Sequence, residues 1–317
     1  RRRAIASFWI APDHALVSFR PPLTRPTMID LLTRIAWSSV WRAGRSLSFW
    51  LLLTSSLLAH PAGAQARPRI LLSNDDGVSS EGIAAMAAAL REFADVVVVA
   101  PAENHSGSSH QTVIRTRVTT VRPFYRDGEL FGYGIDATPA DAVKFGILHF
   151  GAEEPFDLVV SGINDGANVG WVGHTSGTVG AAMEALLNGV PSVAVSQGNR
   201  GEFEVSAQFA ASLVREVLER GLPEGSMLSI NVPAGELQGV RIAPMGGLYF
   251  RVSGLEQILA AGDSIQYRAR VSGAYRVEPG SDTRAYLDRY VTVTPLKIDW
   301  TDRALLEQLG SWELRLE

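Results

Sequence analysis

Pro68-Arg69-Ile70-Leu71-Leu72-Ser73-Asn74-Asp75-Asp76-Gly77 joins an apolar run to an acidic turn, and the rest of the chain is organised around it. Ile70-Leu71-Leu72 is a short apolar run of the kind that forms a buried strand. It stops abruptly at four polar residues and a glycine. In open α/β sheets ligands bind outside the carboxyl ends of the strands, so this strand end is where chemistry is expected. On a continuing strand Asp75 and Asp76 would point to opposite faces. Both can serve one site only if the chain turns, and Gly77 allows such a turn. Two ionised carboxylates held close together repel, and one pKa rises unless a cation sits between them. A hard divalent cation with oxygen ligands is the simplest resolution. The plainer alternative is a polar turn that caps the next helix.

Downstream, Ser79 or Ser80 can cap a helix with Glu81 in its first turn, and Ile83, Met86, Ala87 and Leu90 share one face. Val96-Val97-Val98-Val99-Ala100 then reads as a strand buried on both faces, which makes the segment a βαβ unit. The loop after it, residues 101–110, could offer serine hydroxyls and backbone amides to an anion, or be simply flexible. Residues 112–121 alternate like a half-exposed strand, with residues 131–134 as its pairing partner. Thr138-Pro139-Ala140-Asp141 starts a helix, with Val143, Phe145, Gly146 and Leu148 turned inward. A third strand is expected at residues 156–160, followed by a loop dense in glycine and asparagine that lasts to Ser176-Gly177-Thr178.

That Ser-Gly-Thr turn opens a helix over residues 179–187, and free amides at a helix N-terminus make an anion site. It is not a Walker A motif, since Gly-Lys is missing, and no GxGxxG follows a strand. A strand at 192–196, a helix at 207–219 and a strand at 227–232 complete an alternating α/β core, residues 67–232. Residues 233–317 read as a β-rich extension. It would hold antiparallel strands at 240–243 and across 248–277 with long connections, then a strand at 290–296 and a short helix at 303–309.

The first 66 residues differ in character. Of 29 basic and 33 acidic residues in the chain, eight arginines and two acids lie there, leaving 21 and 31 after it, a formal −10. Met28 is the first methionine, so residues 1–27 read as upstream of the true start, and residues 28–66 as a signal peptide. The apolar core at 47–59 is shorter than the ~20 residues a bilayer span needs, and Ala64-Gln65-Ala66 is a small-x-small cleavage pattern. A periplasmic or secreted protein without a stable membrane anchor is the expectation. With 46% hydrophobic and 20% charged residues the chain can build a sizeable core. It has no cysteine, which excludes disulfides, zinc-thiolate sites and cysteine nucleophiles. The acidic balance argues against binding long nucleic acids.

Three strand ends carry Asn74-Asp75-Asp76-Gly77, Asn104-His105-Ser106-Gly107 and Ser161-Gly162-Ile163-Asn164. Later come Ser176-Gly177-Thr178-Val179, Ile230-Asn231-Val232-Pro233 and Gly280-Ser281-Asp282. In this order they resemble the SurE family, the survival-protein phosphatases acting on nucleoside monophosphates. The resemblance implies a three-layer, Rossmann-like, mostly parallel sheet and one Mg²⁺ or Mn²⁺ per subunit. It implies Asp75, Asp76, Ser106 and Asn164 as metal ligands, Asp75 and Asp76 being catalytic, and Asn168, Ser176, Gly177 and Thr178 at the phosphate. It also implies a homodimer or homotetramer held partly by exchanged C-terminal segments.

The expected activity is hydrolysis of nucleoside 5′- or 3′-monophosphates by a metal-activated water. Its rivals are an enzyme with Asp75 as covalent nucleophile and a non-catalytic periplasmic phospho-ligand binding protein. Between Gly170 and Ser176 the family usually carries acids and an aromatic, where this chain has Trp171-Val172-Gly173-His174-Thr175. That departure predicts a changed grip on the nucleoside and acceptance of other phosphate monoesters.

Overall fold

The computed structural model describes residues 66–198 and 201–316. The expected leader lies outside the described residues. Among these, no helix is long and apolar enough to cross a membrane.

The chain runs β1 (Arg69–Ser73), α1 (Glu81–Arg91), β2 (Asp95–Pro101), β3 (Val121–Arg126), β4 (Glu129–Ile135) and α2 (Pro139–Phe145). It continues through β5 (Leu158–Asp165), α3 (Gly177–Leu187), β6 (Ser192–Gln197), α4 (Glu204–Arg220), β7 (Ser226–Val232) and β8 (Val240–Ile242). The last elements are β9 (Arg251–Ala261), β10 (Ser264–Ser272), α5 (Asp282–Leu287), β11 (Val291–Lys297) and α6 (Arg303–Leu309). Nine strands form one sheet in the order β3-β4-β2-β1-β5-β6-β7-β11-β8. From β4 to β7 every pairing is parallel.

Alternation along β1 builds the layers, because successive side chains of a strand face opposite ways. Ile70 and Leu72 pack with α1 and α4 residues such as Ile83, Met86, Leu90, Ala210 and Val214. Leu71 packs on the other face with Val143 of α2 and Ala181 and Ala185 of α3. Each of the three β1 side chains is fully buried, a gain of roughly 1.5–3 kcal/mol apiece. Strand order reverses on either side of β1: the chain goes outward to β2 on one flank and to β5, β6 and β7 on the other. The crevice over the carboxyl ends of β1 and β5 is therefore the topological switch point, the usual ligand position in such sheets.

Several expectations are corrected. Residues 112–121 form no strand before Val121, and the edge hairpin is β3–β4. Leu148 is 64% exposed because the helix after Phe145 loosens into a π-turn over Gly146–Phe150, which rotates it outward. Ser161 to Asp165 is strand, not loop. β8 is parallel to β11, not antiparallel. The 251–272 region is one hairpin with a tight turn at Gly262, in place of long connections. β11 joins the main sheet antiparallel to β7, so among the described residues only β9–β10 stands as a separate sheet.

Candidate active site

β1 ends at Ser73 and the chain turns at once. Buried Asn74 closes the turn: its Oδ1 accepts from the Gly77 amide at 3.1 Å, and its Nδ2 donates to the Gly77 carbonyl at 3.1 Å and to Ser80 Oγ at 2.7 Å. Ser80 sits at the N-cap of α1, yet no side-chain bond caps that helix. Gly77 has a φ of 103°, which favours glycine, and a Cβ there would lie 3.2 Å from the Glu103 carbonyl carbon. The turn takes Asp75 and Asp76 off the strand alternation and lets both serve the switch-point crevice.

Asp75 is 2% exposed and lies at the N-terminus of α3, where the Thr178 hydroxyl donates to its Oδ1. The positive end of the helix favours a carboxylate in this place. Gly177 makes the approach possible, since a Cβ on it would come within 2.8 Å of Asp75 Cβ and 2.9 Å of Oδ2. Burial is the main influence on Asp75 and pushes its pKa up to about 6, opposed by the Thr178 bond and assisted by the charge of Asp76. Asp76 accepts from the Asp165 amide at 2.9 Å and from Asn104 Nδ2 at 3.2 Å. Burial raises its pKa too, those two bonds opposing and the Asp165 charge adding.

Asn164 reaches the crevice through an irregularity in β5. Ser161 pairs with Ala194 but Asn164 with Ser196, so one extra residue bulges out. Gly162 permits it, because a Cβ there would sit 2.2 Å from the Val195 carbonyl oxygen. Asn164 Nδ2 donates to the Gly166 carbonyl at 2.6 Å, which leaves Oδ1 as the acceptor of that amide. Its neighbour Asp165 supplies the amide that holds Asp76.

The second loop is docked by the His105 amide on the Asp75 carbonyl at 2.7 Å. Ser106 is exposed on it, its amide held by Asn104 Oδ1 at 2.9 Å. The serine that approaches the Asp75–Gly177 notch is Ser108, whose Oγ lies 2.7 Å from the place of a Gly177 Cβ. Ser109 bonds residues 174 and 175, and His110 Nε2 lies 2.8 Å from buried Glu184 of α3, which also pairs with Lys144. Burial works to raise the Glu184 pKa, but the His110, Lys144 and Asn188 bonds outweigh it and hold the carboxyl below its usual value.

The third loop is anchored from beneath. Buried Asn168 donates its amide N–H to Asn231 Oδ1 at 2.7 Å and its Nδ2 to Ser196 Oγ at 2.8 Å. Asp282, far along the chain, accepts from the Gly170 and Gly246 amides at 2.9 Å each. Ser176 caps α3 by accepting from the Val179 amide. The first amides of any helix, Gly177 among them here, have no acceptor within it.

Asp75, Gly177 and Thr178 thus meet at the opening of α3, with Asp76 next in the chain and Asn164 one residue before the amide that holds Asp76. Ser106 is exposed on the docked loop, Asn168 is anchored to Asn231 and Ser196, and Ser176 caps the helix. Sequence reasoning missed Asn74, Asn104, Ser108 and Asp282. Asn74 had a signal, since Asn readily folds back on its own backbone in a turn; Asp282 stood in the quoted Gly280-Ser281-Asp282 motif, but nothing near it in the chain told which loop it holds.

Among the described residues no three His, Cys, Asp or Glu side chains cluster as a metal site. The donors around the crevice are two carboxylates, an amide oxygen and a hydroxyl, a set whose chemistry fits a hard dication such as Mg²⁺ or Mn²⁺. Such a charge would also offset the burial and mutual repulsion of Asp75 and Asp76.

With chelator present, stability is expected to rise on acidification through Asp75. Its folded pKa of about 6 exceeds the ordinary 3.8, so its contribution is complete below about pH 4 and lost as pH rises through 6. The two-unit shift bounds it at ~3 kcal/mol. Melting temperatures of wild type and Asp75→Asn from pH 4 to 8 in EDTA check this, because only the difference between them isolates Asp75. Parallel curves would refute it.

The sheet, its switch point and the buried Asp75 at the N-terminus of α3, with the half-buried Asp76 beside it, define a doubly wound α/β protein with an acidic, anion-facing site. A sequence profile described as Survival protein SurE matches residues 70–251. The protein named 5′-nucleotidase SurE of Chlorobium phaeobacteroides is 35% identical over 254 residues, 78% of this chain and 98% of its own. That of Geobacter sulfurreducens is 39% identical over 253 residues, 77% and 94% of the two chains. The crystal structure of SurE from Aquifex aeolicus superimposes with a TM-score of 0.66 at 34% identity, covering 77% of this chain and 98% of that one. The chain belongs to the SurE family.

Proposed function

We propose that the protein is a dication-dependent phosphomonoesterase that hydrolyses nucleoside 5′-monophosphates, and 3′-monophosphates, to nucleoside and phosphate. The observation that carries this reading is Asp75, buried against the opening of α3 beside the bare Gly177. It sets a metal-binding type of carboxylate and an anion-binding helix end side by side. The name 5′-nucleotidase borne by relatives that this chain spans almost from end to end supports it. Asp75, Asp76, Asn164 and Ser106 would hold Mg²⁺ or Mn²⁺, which when bound supplies Lewis-acid polarisation of a phosphoryl oxygen and acidifies a water. The Gly177 amide and the residues about it, Asn168, Ser176 and Thr178, form the phosphate cradle. Thr178 fixes Asp75 through Oδ1 and so leaves Oδ2 toward Gly177. Asp165 and Asn104 orient Asp76, so little reorganisation remains when charge develops.

Phosphate release from a panel of monoesters, with and without Mn²⁺, tests the reading. Cation-dependent release from nucleoside monophosphates is expected. Tight binding without any release would favour the phospho-ligand binding protein instead.

The leader reading predicts export with cleavage after Ala66. N-terminal sequencing of the periplasmic protein should return Arg67 first; recovery from the cytoplasm alone with residues 28–66 attached would defeat it. A homodimer or homotetramer is part of the same proposal, and light scattering reads it directly.

A further inference from the structure

Ser108 carries a buried hydroxyl that makes no hydrogen bond among the described residues. A buried hydroxyl left unpaired costs stability, so its presence calls for a reason. Other such oxygens, on Ser73, Ser161 and Thr292, lie within strands β1, β5 and β11. Ser108 sits instead on the loop after β2 and faces the opening of α3. Its Oγ and Asp75 Oδ2 come within 2.7 and 2.9 Å of one point, the place of a Gly177 Cβ. The hydroxyl therefore stands against the Gly177 Cα, one bond from the amide that opens the helix. Backbone bonds keep it there. The Ser108 amide donates to the His105 carbonyl, and the Ser108 carbonyl accepts from the Gln111 amide, both at 3.2 Å. Ser109 donates its amide to the Thr175 carbonyl at 3.1 Å and its hydroxyl to the His174 carbonyl at 2.8 Å. The loop lies so close on α3 that a Cβ at Gly180 would come within 2.2 Å of the Ser109 carbonyl oxygen.

We infer that Ser108 is a further catalytic residue, whose hydroxyl donates a hydrogen bond to a non-bridging oxygen of the phosphoryl group held at the Gly177 amide. The inference rests on the phosphomonoesterase reading. Two serines of one loop then divide the work: Ser106 serves the cation and Ser108 the anion. A hydroxyl can donate to a phosphate oxygen, whereas the ionised Asp75 across the notch can only accept. Fixed by backbone bonds on both sides, this donor needs no reorganisation as charge builds on the phosphoryl oxygens. The substrate supplies the partner that the fold does not, so the same hydroxyl weakens the fold and strengthens the site.

The test compares wild type, Ser108→Ala and, as a contrast, Ser106→Ala. It measures kcat/KM for a nucleoside 5′-monophosphate, the affinity for inorganic phosphate by calorimetry in saturating Mg²⁺, the affinity for Mg²⁺ itself, and the melting temperature. Ser108→Ala should lower kcat/KM about thirtyfold and weaken phosphate binding about tenfold, the scale of one hydrogen bond to a charged group. Its Mg²⁺ affinity should hold, and its melting temperature should stay level or rise, because an unpaired buried oxygen is gone. Excess Mg²⁺ should restore Ser106→Ala and leave Ser108→Ala slow. Ser108→Gly repeats the measurements should the alanine variant fail to fold. An unchanged kcat/KM or phosphate affinity, or a rate that excess Mg²⁺ restores in Ser108→Ala, overturns the inference while leaving the phosphomonoesterase reading in place. No phosphate release from any monoester by wild type defeats both.

Discussion

Asp75→Asn is expected to lower kcat/KM about a thousandfold, the scale of losing one preorganised charge at a reacting phosphoryl group. The substitution keeps the shape of the side chain and its bond from Thr178, but removes a full negative charge from a site only 2% exposed. If Asp75 is a metal ligand, cation affinity falls with turnover, and excess Mn²⁺ restores part of the rate. Asn164→Ala should show the same pattern more mildly, since a neutral donor is lost. If Asp75 is instead a covalent nucleophile, no concentration of cation rescues the asparagine variant, which has lost the attacking oxygen. Acid quenching of a single turnover, followed by mass analysis of the protein, separates the two. A phosphate adduct on Asp75 that forms and decays at the turnover rate would overturn the ligand role.

Gly177→Ala should cost about a hundredfold in kcat/KM. Helix propensity alone argues the other way, because alanine is better than glycine in a helix by ~1 kcal/mol. The local geometry decides against it. The new methyl would lie 2.7 Å from Ser108 Oγ and 2.8 Å from Asp75 Cβ, and relief requires moving the carboxylate or the helix start. A displacement of about 1 Å in a catalytic group costs on the order of 10²-fold. Kinetics and thermal melting measured together make the case: activity should drop far more than stability. Full activity in the alanine variant would show that the notch is not part of the working site.

Most of the fold was legible because its signals are local. The βαβ unit at 69–101 follows from an apolar run, a helical stripe and a β-branched run. The cap at Thr138, whose hydroxyl accepts from the Asp141 amide with Pro139 first in the helix, is read from four consecutive residues. The errors fell where a local pattern could be met in two ways. Residues 161–165 look like a loop because they are polar and hold a glycine, yet pairing with β6 on a bulge keeps them in the sheet. The strand at 240–242 has β-branched residues whatever its partner. Its direction is set by β11, some 50 residues on.

Residue order alone shows that an α/β sheet ends its first strand in paired carboxylates, and that a Ser-Gly-Thr turn opens a later helix. These features depend on residue order within a few positions, through strand and helix periodicity and turn chemistry. Long-range packing alone sets the bond of Thr178 to Asp75 across 103 positions, the reach of Asp282 back 112 to hold Gly170, and the joint orientation of Asp76 by the Asp165 amide and the Asn104 side chain. Each such pairing joins groups that buried, close-packed elements carry together. Their partners are chosen by packing and by the need of every buried polar group for a bond, and no stretch of neighbouring residues records that choice.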